Sequence, residues 1–220
     1  MSILFVLLMF LLIISVRYFI EPKHQPALEP EIVAKPQPPL VKREYGFEIP
    51  QGYCFHLGHM WAMKEGTEDA RVGVDKFVTN LLGKIDHIDV CGANRWVRQG
   101  QKLITLTSNG TSVDLLSPVE GVVMAINNDA LREPSLVTND PYENGWIAMV
   151  KAPDFKVNRR NLIQGSMVAP WMQNSVARLG AMLSGPSPAL AQDGGAPISG
   201  LLLRLTPELR QQVVKEFLLS

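Results

Sequence analysis

Cysteine is scarce in this sequence: only Cys54 and Cys91 occur, far apart and outside any CxxC pair or haem-attachment motif. That spacing excludes a zinc ribbon and reads as two free thiols in a reducing compartment, a disulfide being the alternative in an oxidising one. Net charge is also missing, with 21 basic and 21 acidic side chains cancelling at pH 7. No broad basic face therefore argues for nucleic acid. Histidine is limited to four residues, and none completes a metal set. His56 and His59 are three apart, which on a strand places them on opposite sides. No Ser-His-Asp or Cys-His arrangement stands out. Gly73, Gly83, Gly92 and Gly100 make no phosphate loop. Catalytic, metal and cofactor residues are thus expected to be absent, and with them a small-molecule substrate.

What is abundant is apolar sequence at the start. Ser2 to Val16 is almost wholly apolar and Arg17-Tyr18-Phe19-Ile20 extends it. About 19 helical residues rise roughly 28 Å, close to the hydrocarbon thickness of a bilayer. No basic n-region precedes the run, and no Ala-x-Ala or lipobox cysteine follows it. A retained transmembrane anchor over residues 1–20 is expected rather than a cleaved signal. Arg17, Lys23, Lys35, Lys42 and Arg43 all follow it, so the positive-inside rule puts the rest of the chain in the cytoplasm, at a bacterial inner membrane. Residues 21–43 then carry Pro22, Pro26, Pro30, Pro36, Pro38 and Pro39. Proline fixes φ and removes donors, so this stretch reads as a semi-rigid tether.

From residue 44 to 155 the pattern changes to short β-like runs between turn signals. His59 to Met63 and Ala70 to Val74 read as strands around Glu65-Gly66-Thr67. Asp75 to Leu82 has helical spacing and stops at Gly83. Ile85 to Val90 alternates, with Ile85, Ile88 and Val90 facing inward. Leu103 to Pro118 holds two strand runs around Ser108-Asn109-Gly110-Thr111, a hairpin whose type I′ turn needs positive φ at both central residues. Val119 to Ile126 supplies another turn and strand.

Several blocks of this region resemble one family. They are His59-Met60-Trp61, Val72 to Phe77, Leu82-Gly83-Lys84-Ile85, Ser117 to Gly121, and the long Glu133-Pro134-Ser135-Leu136-Val137-Thr138-Asn139-Asp140-Pro141-Tyr142-Glu143-Asn144-Gly145-Trp146. Their order and spacing are similar to those of glycine cleavage H proteins across roughly Tyr45 to Phe155. The resemblance implies a mainly β fold, the barrel-sandwich hybrid of lipoyl and biotinyl domains, with flanking helices. It also implies a carrier whose lipoate is joined to a lysine at a hairpin tip. At the matching position this sequence has Gly110, and Thr107 replaces the acidic residue expected upstream. No lysine occurs from Leu103 to Val150, and Lys102 falls before the strand. No lipoyl group is therefore expected. His59, Trp61 and Trp146 match family positions and read as core. Trp96 and Trp171 do not, so they are candidates for partner binding.

Beyond residue 155, Asn158-Arg159-Arg160-Asn161 is a small basic patch, a solvated face or a contact for anionic headgroups. Residues 156–184 form a helical extension, with Val168, Met172, Val176, Leu179 and Leu183 at helical spacing. Residues 185–200 read as a flexible linker. In residues 201–220, Thr206-Pro207 caps a last amphipathic helix with Leu209, Val213 and Phe217 on its stripe. That stripe meets either its own domain, a partner or the bilayer. The expected role is a non-catalytic, membrane-anchored accessory or scaffold subunit of an integral membrane protein complex, touching the bilayer through its first helix. A lipoyl or aminomethyl carrier is the alternative. A membrane-fusion-type adaptor is a further one, disfavoured because only a tight turn separates the two halves of the hairpin.

Overall fold

The computed structural model describes Met9, Leu11 and Leu12, residues 41–44, residues 47–183 and residues 199–219. The chain divides into two units, residues 1–38 and 39–220. In the first, Met9, Leu11 and Leu12 are helical and exposed. The rest of the expected anchor and the expected tether up to residue 40 lie outside the described residues, as do residue 184 of the helical extension and residues 185–198 of the expected linker. Among the described residues no helix is long and apolar enough to cross a membrane.

The second unit is mainly β with flanking helices. A hairpin, β1 (Val41–Glu44) and β2 (Phe47–Pro50), opens it, so regular structure begins inside the stretch read as tether. Next come β3 (Tyr53–Phe55), β4 (Met60–Glu65), β5 (Asp69–Val74) and helix α1 (Lys76–Leu82). After α1 follow β6 (His87–Val90), β7 (Trp96–Val97), β8 (Lys102–Ser108), β9 (Thr111–Leu116) and β10 (Gly121–Ile126). Two five-residue helices, α2 (Asn128–Arg132) and α3 (Ser135–Asn139), lead to β11 (Ala148–Lys151). Helix α4 (Phe155–Asn158), strand β12 (Ile163–Gln164), the long helix α5 (Val168–Leu183), then α6 (Leu201–Arg204) and α7 (Pro207–Phe217) complete it.

Seven strands pair in the order β12-β3-β4-β5-β11-β10-β7, and three in the order β6-β8-β9. Every recorded pairing is antiparallel. Alternation along each strand sends one set of side chains inward. Val72, Ala148, Val150 and Val123 of the larger sheet share a single core with Ile88, Ile104, Leu106 and Val113 of the smaller one. A second cluster joins Tyr53, Phe55, Trp61, Tyr142 and Val168.

Local chemistry sets the helix ends. The Asp75 side chain accepts from the Val78 N–H and caps α1, and Thr206 does the same for α7 through the Leu209 N–H. Gly83 ends α1 at φ +71, a conformation L side chains resist. A Cβ there would also fall 2.8 Å from the Gly200 nitrogen, so α6 can start only against a bare backbone.

Candidate functional site

The hairpin formed by β8 and β9 is the region in which the sequence placed its decisive position. Six register pairs tie the strands, from Lys102↔Leu116 to Ser108↔Thr111, leaving Asn109-Gly110 as a two-residue turn. Asn109 has φ +46 and Gly110 φ +73, as a type I′ turn requires. A Cβ on Gly110 would meet nothing within 4 Å. The glycine thus serves the turn and not a close approach.

The turn is held from outside the hairpin. The Asn109 N–H donates to Asp86 Oδ2 at 2.7 Å, and Lys84 Nζ pairs with Asp86 Oδ1 at 3.3 Å. These two contacts, the backbone N–H first, hold the Asp86 carboxyl below its ordinary range. Ser108 Oγ donates to the carbonyls of Leu82 at 3.2 Å and Lys84 at 2.5 Å. Beside this end lies a cavity of about 290 Å³ lined by Lys84, Asp86, Arg132, Glu133, Ser135 and Thr138. At the other end of the hairpin, Lys102 Nζ sits 2.7 Å from Asp114 Oδ1, and Thr105 Oγ1 donates to the same oxygen at 2.8 Å. Burial pushes the Asp114 carboxyl up, but Lys102 and Thr105 outweigh it and the net direction is down. Lys102 therefore belongs to the base of the hairpin, at the far end of β8 from the turn.

The last two helices pack against this hairpin and α1. Arg210 Nη1 donates to Thr111 Oγ1 at 3.1 Å, while its Nε and Nη2 donate to the carbonyls of Leu202 and Leu205. The Gly200 N–H donates to the Asn80 carbonyl at 2.9 Å. Leu201, Leu202, Val213, Phe217 and Leu218 are all buried. The apolar stripe of α7 is covered by the chain itself, the first of the alternatives open to it, so Val213 and Phe217 are not available to a partner; Leu209 is half-buried at the edge of the same packing.

Trp171 is half-buried, drawn against the aromatic cluster. Its ring stacks on His59 at 4.5 Å and lies 5.9 Å from Phe55. His59 also stacks on Phe77, at 4.1 Å. His59 has φ +61, its Nδ1 is 2.6 Å from Asp75 Oδ2, and both side chains are buried. Its Nε2 has no hydrogen-bond partner among the described residues. Sequence reasoning placed His59 in the core but not the aromatic clamp around it, nor the dyad with Asp75. The family block Val72 to Phe77 carried Asp75, and nothing local pointed it at His59. Trp96, by contrast, is 51 % exposed on β7, as expected of a residue outside the core.

No group of three or more metal-competent side chains occurs among the described residues. Cys54 is buried, which pushes its thiol up, and Cys91 is half-buried; both are free.

A family model described as Glycine cleavage H-protein matches residues 54–175, more than half the chain. The chain belongs to the glycine cleavage H-protein family. Among its relatives, the H protein of Aliivibrio salmonicida is 32 % identical over 111 residues, covering 50 % of this chain and 87 % of that one. The Aliivibrio fischeri H protein is 33 % identical over 100 residues, covering 46 % and 79 %. A crystal structure of the H protein from Mycobacterium marinum aligns with a TM-score of 0.45 at 24 % identity, over 47 % of this chain and 86 % of that one. The H-protein match ends at residue 175, so the helices α6 and α7 that pack on the hairpin lie beyond it. Tested against a lipoyl group, the turn does not fit: Gly110 offers no side-chain amine from which an amide could be made.

Proposed function

We propose that this H-protein relative is a non-catalytic accessory or scaffold subunit of an integral membrane protein complex, held at a bacterial inner membrane by its N-terminal apolar run and bearing no lipoyl group. The observation that carries the reading is the Asn109-Gly110 turn. A lipoyl carrier needs an amine at its tip to form the amide, and here the tip ends in a hydrogen. Supporting it, Lys102 is engaged at the hairpin base with Asp114 and stands far from the turn along the strand. The barrel-sandwich form, in which the two sheets enclose one core, is the finer description this reading adopts for the domain. The run Ser2 to Ile20 supports the anchor through its length and lack of charge before Arg17.

One observation favours a second reading, a carrier acylated off the tip. Lys84 is 84 % exposed and shares the Asp86 carboxylate with the turn. Intact-mass measurement on chain purified from its native membrane separates the two. An unmodified mass is expected; an acyl adduct on Lys84 or any other lysine removes the accessory reading. Mild-detergent extraction is expected to bring integral membrane proteins along with the chain, and monomeric behaviour there counts against a subunit role.

A further inference from the structure

The free edge of the seven-stranded sheet carries side chains that neither the core nor the hairpin uses. Strand β7 is two residues long and pairs on one side only, with β10. Alternation buries Val97 and turns Trp96 and Arg98 to the outer face. Trp96 is paired with half-buried Val122, which is paired in turn with Lys151. The edge continues into α4. Gln99 Nε2 donates to the Asn158 carbonyl at 3.0 Å, Asn161 Nδ2 donates to Gln99 Oε1 at 2.8 Å, and the Glu120 N–H donates to Asn158 Oδ1 at 2.8 Å. Val157 on α4 is 55 % exposed, a second large apolar side chain left in solvent on this edge.

The charge of this edge departs from that of the chain. Residues 95–101, 118–122 and 154–161 hold Arg95, Arg98, Lys156, Arg159 and Arg160 against Glu120 and Asp154, a net charge of +3 in a chain that nets zero. Arg159 is occupied by Gln164 and Lys151 by Glu68, and the remaining cations are exposed. A tryptophan and an aliphatic side chain set among exposed cations fit the boundary between lipid headgroups and acyl chains. Cations within a few ångströms of an anionic leaflet each add to the attraction, and the effect fades within a Debye length.

We infer that the edge formed by Arg95, Trp96, Arg98, Lys156, Val157 and Arg160 is a contact surface for anionic phospholipid headgroups, on which the domain lies down against the bilayer. Charge complementarity selects the occupant, and the exposed apolar side chains of Trp96 and Val157 distinguish a bilayer boundary from a purely polar acidic surface. The inference deepens the membrane reading above and rests on it for the chain being held near a bilayer.

The test uses the full chain reconstituted into nanodiscs of phosphatidylcholine, or of phosphatidylcholine with phosphatidylglycerol, with bromine on the acyl chains. The chain has four tryptophans, so the Trp96 emission is read as the difference between wild type and Trp96→Phe. In anionic discs the Trp96 emission is quenched at about 50 mM salt and recovers at about 500 mM; in neutral discs it is not quenched. The Arg98→Ala/Arg160→Ala variant shifts the docked-to-free ratio roughly twenty-five-fold toward free, about fivefold per lost cation. Equal Trp96 emission in neutral and anionic discs overturns the inference, as would emission that tracks an added acidic protein and not the lipid. Carbonate extraction reads the anchor separately. A chain released by carbonate has no anchor, and its edge is then tested by co-sedimentation with anionic vesicles: salt-sensitive binding supports the headgroup surface and no binding overturns it.

Discussion

Among the described residues Asn109, Asn94 and His59 take positive φ without being glycine, and the first and last of these are held there by opposite means. At Asn109 the backbone is exposed, flanked by glycine, and held by one N–H donated to Asp86. At His59 the backbone is buried, and its ring is clamped between Phe77 and Trp171 while Nδ1 meets Asp75. The first turn is set by local preference, because Asn and Gly tolerate the left-handed region. The second is set by packing, because nothing in histidine favours that region enough to hold it there alone. Function has room to vary at the first and little at the second.

Four substitutions test that contrast. Asp75→Ala has the largest expected effect. It strips the cap of α1 and leaves the buried His59 Nδ1 without its partner, so urea denaturation should show a loss of about 2–4 kcal/mol. A loss under about 1 kcal/mol, the cost of a cap alone, would mean that the aromatic clamp holds the turn without the carboxylate. Phe217→Ala comes next, at about 3 kcal/mol, because it opens a cavity against Phe77 at 5.5 Å. Near-UV circular dichroism should change with it; an unchanged spectrum and stability would detach α7 from the clamp.

Gly110→Lys sits third, at about 1 kcal/mol in thermal unfolding. The space around the position is open, so the cost is the positive φ alone. A collapse of the fold would show that the turn tolerates less than its exposure implies. Asp86→Asn is the smallest and is read as a pH slope. The folded pKa of Asp86 is lowered, so its contribution is present above the unfolded carboxylate value and fades as pH falls toward the folded value. The variant should lose that small contribution at neutral pH and converge with the wild type at the acid end, so its stability falls less across the window between. An identical slope in both proteins would remove Asp86 from the support of the turn.

The same contrast governs what could be read from the sequence. Asn109-Gly110, the Thr206 cap and the stop at Gly83 are local signals, and each lies where it was expected; Asp75, read as the first helical residue, is instead the cap of α1. Strands β4, β5 and β10 followed from alternation and flanking turns. What escaped depends on distant partners. Strands β1 and β2 sit within or beside proline-rich sequence and are stabilised as a pair. Helices α2 and α3 are five residues each, too short for a period to declare itself. The last helical region breaks at Leu205 into α6 and α7, with the start of α6 fixed against Gly83. Trp171 looked available for a partner because it matches no family position, but its ring packs on Phe55 and His59, more than a hundred residues earlier. At the hairpin, the absence of an amine was legible at once; the Asp86 bracket that holds the turn was not, since it joins residues 23 apart.

Arg210 ties two carbonyls of the last helical segment to Thr111 on the hairpin, 99 residues away in sequence. Opening either element exposes the other's polar groups, so the amides of β9 and α7 should exchange with deuterium as one cooperative unit, while those of β4 and β5 persist to the free energy of global unfolding.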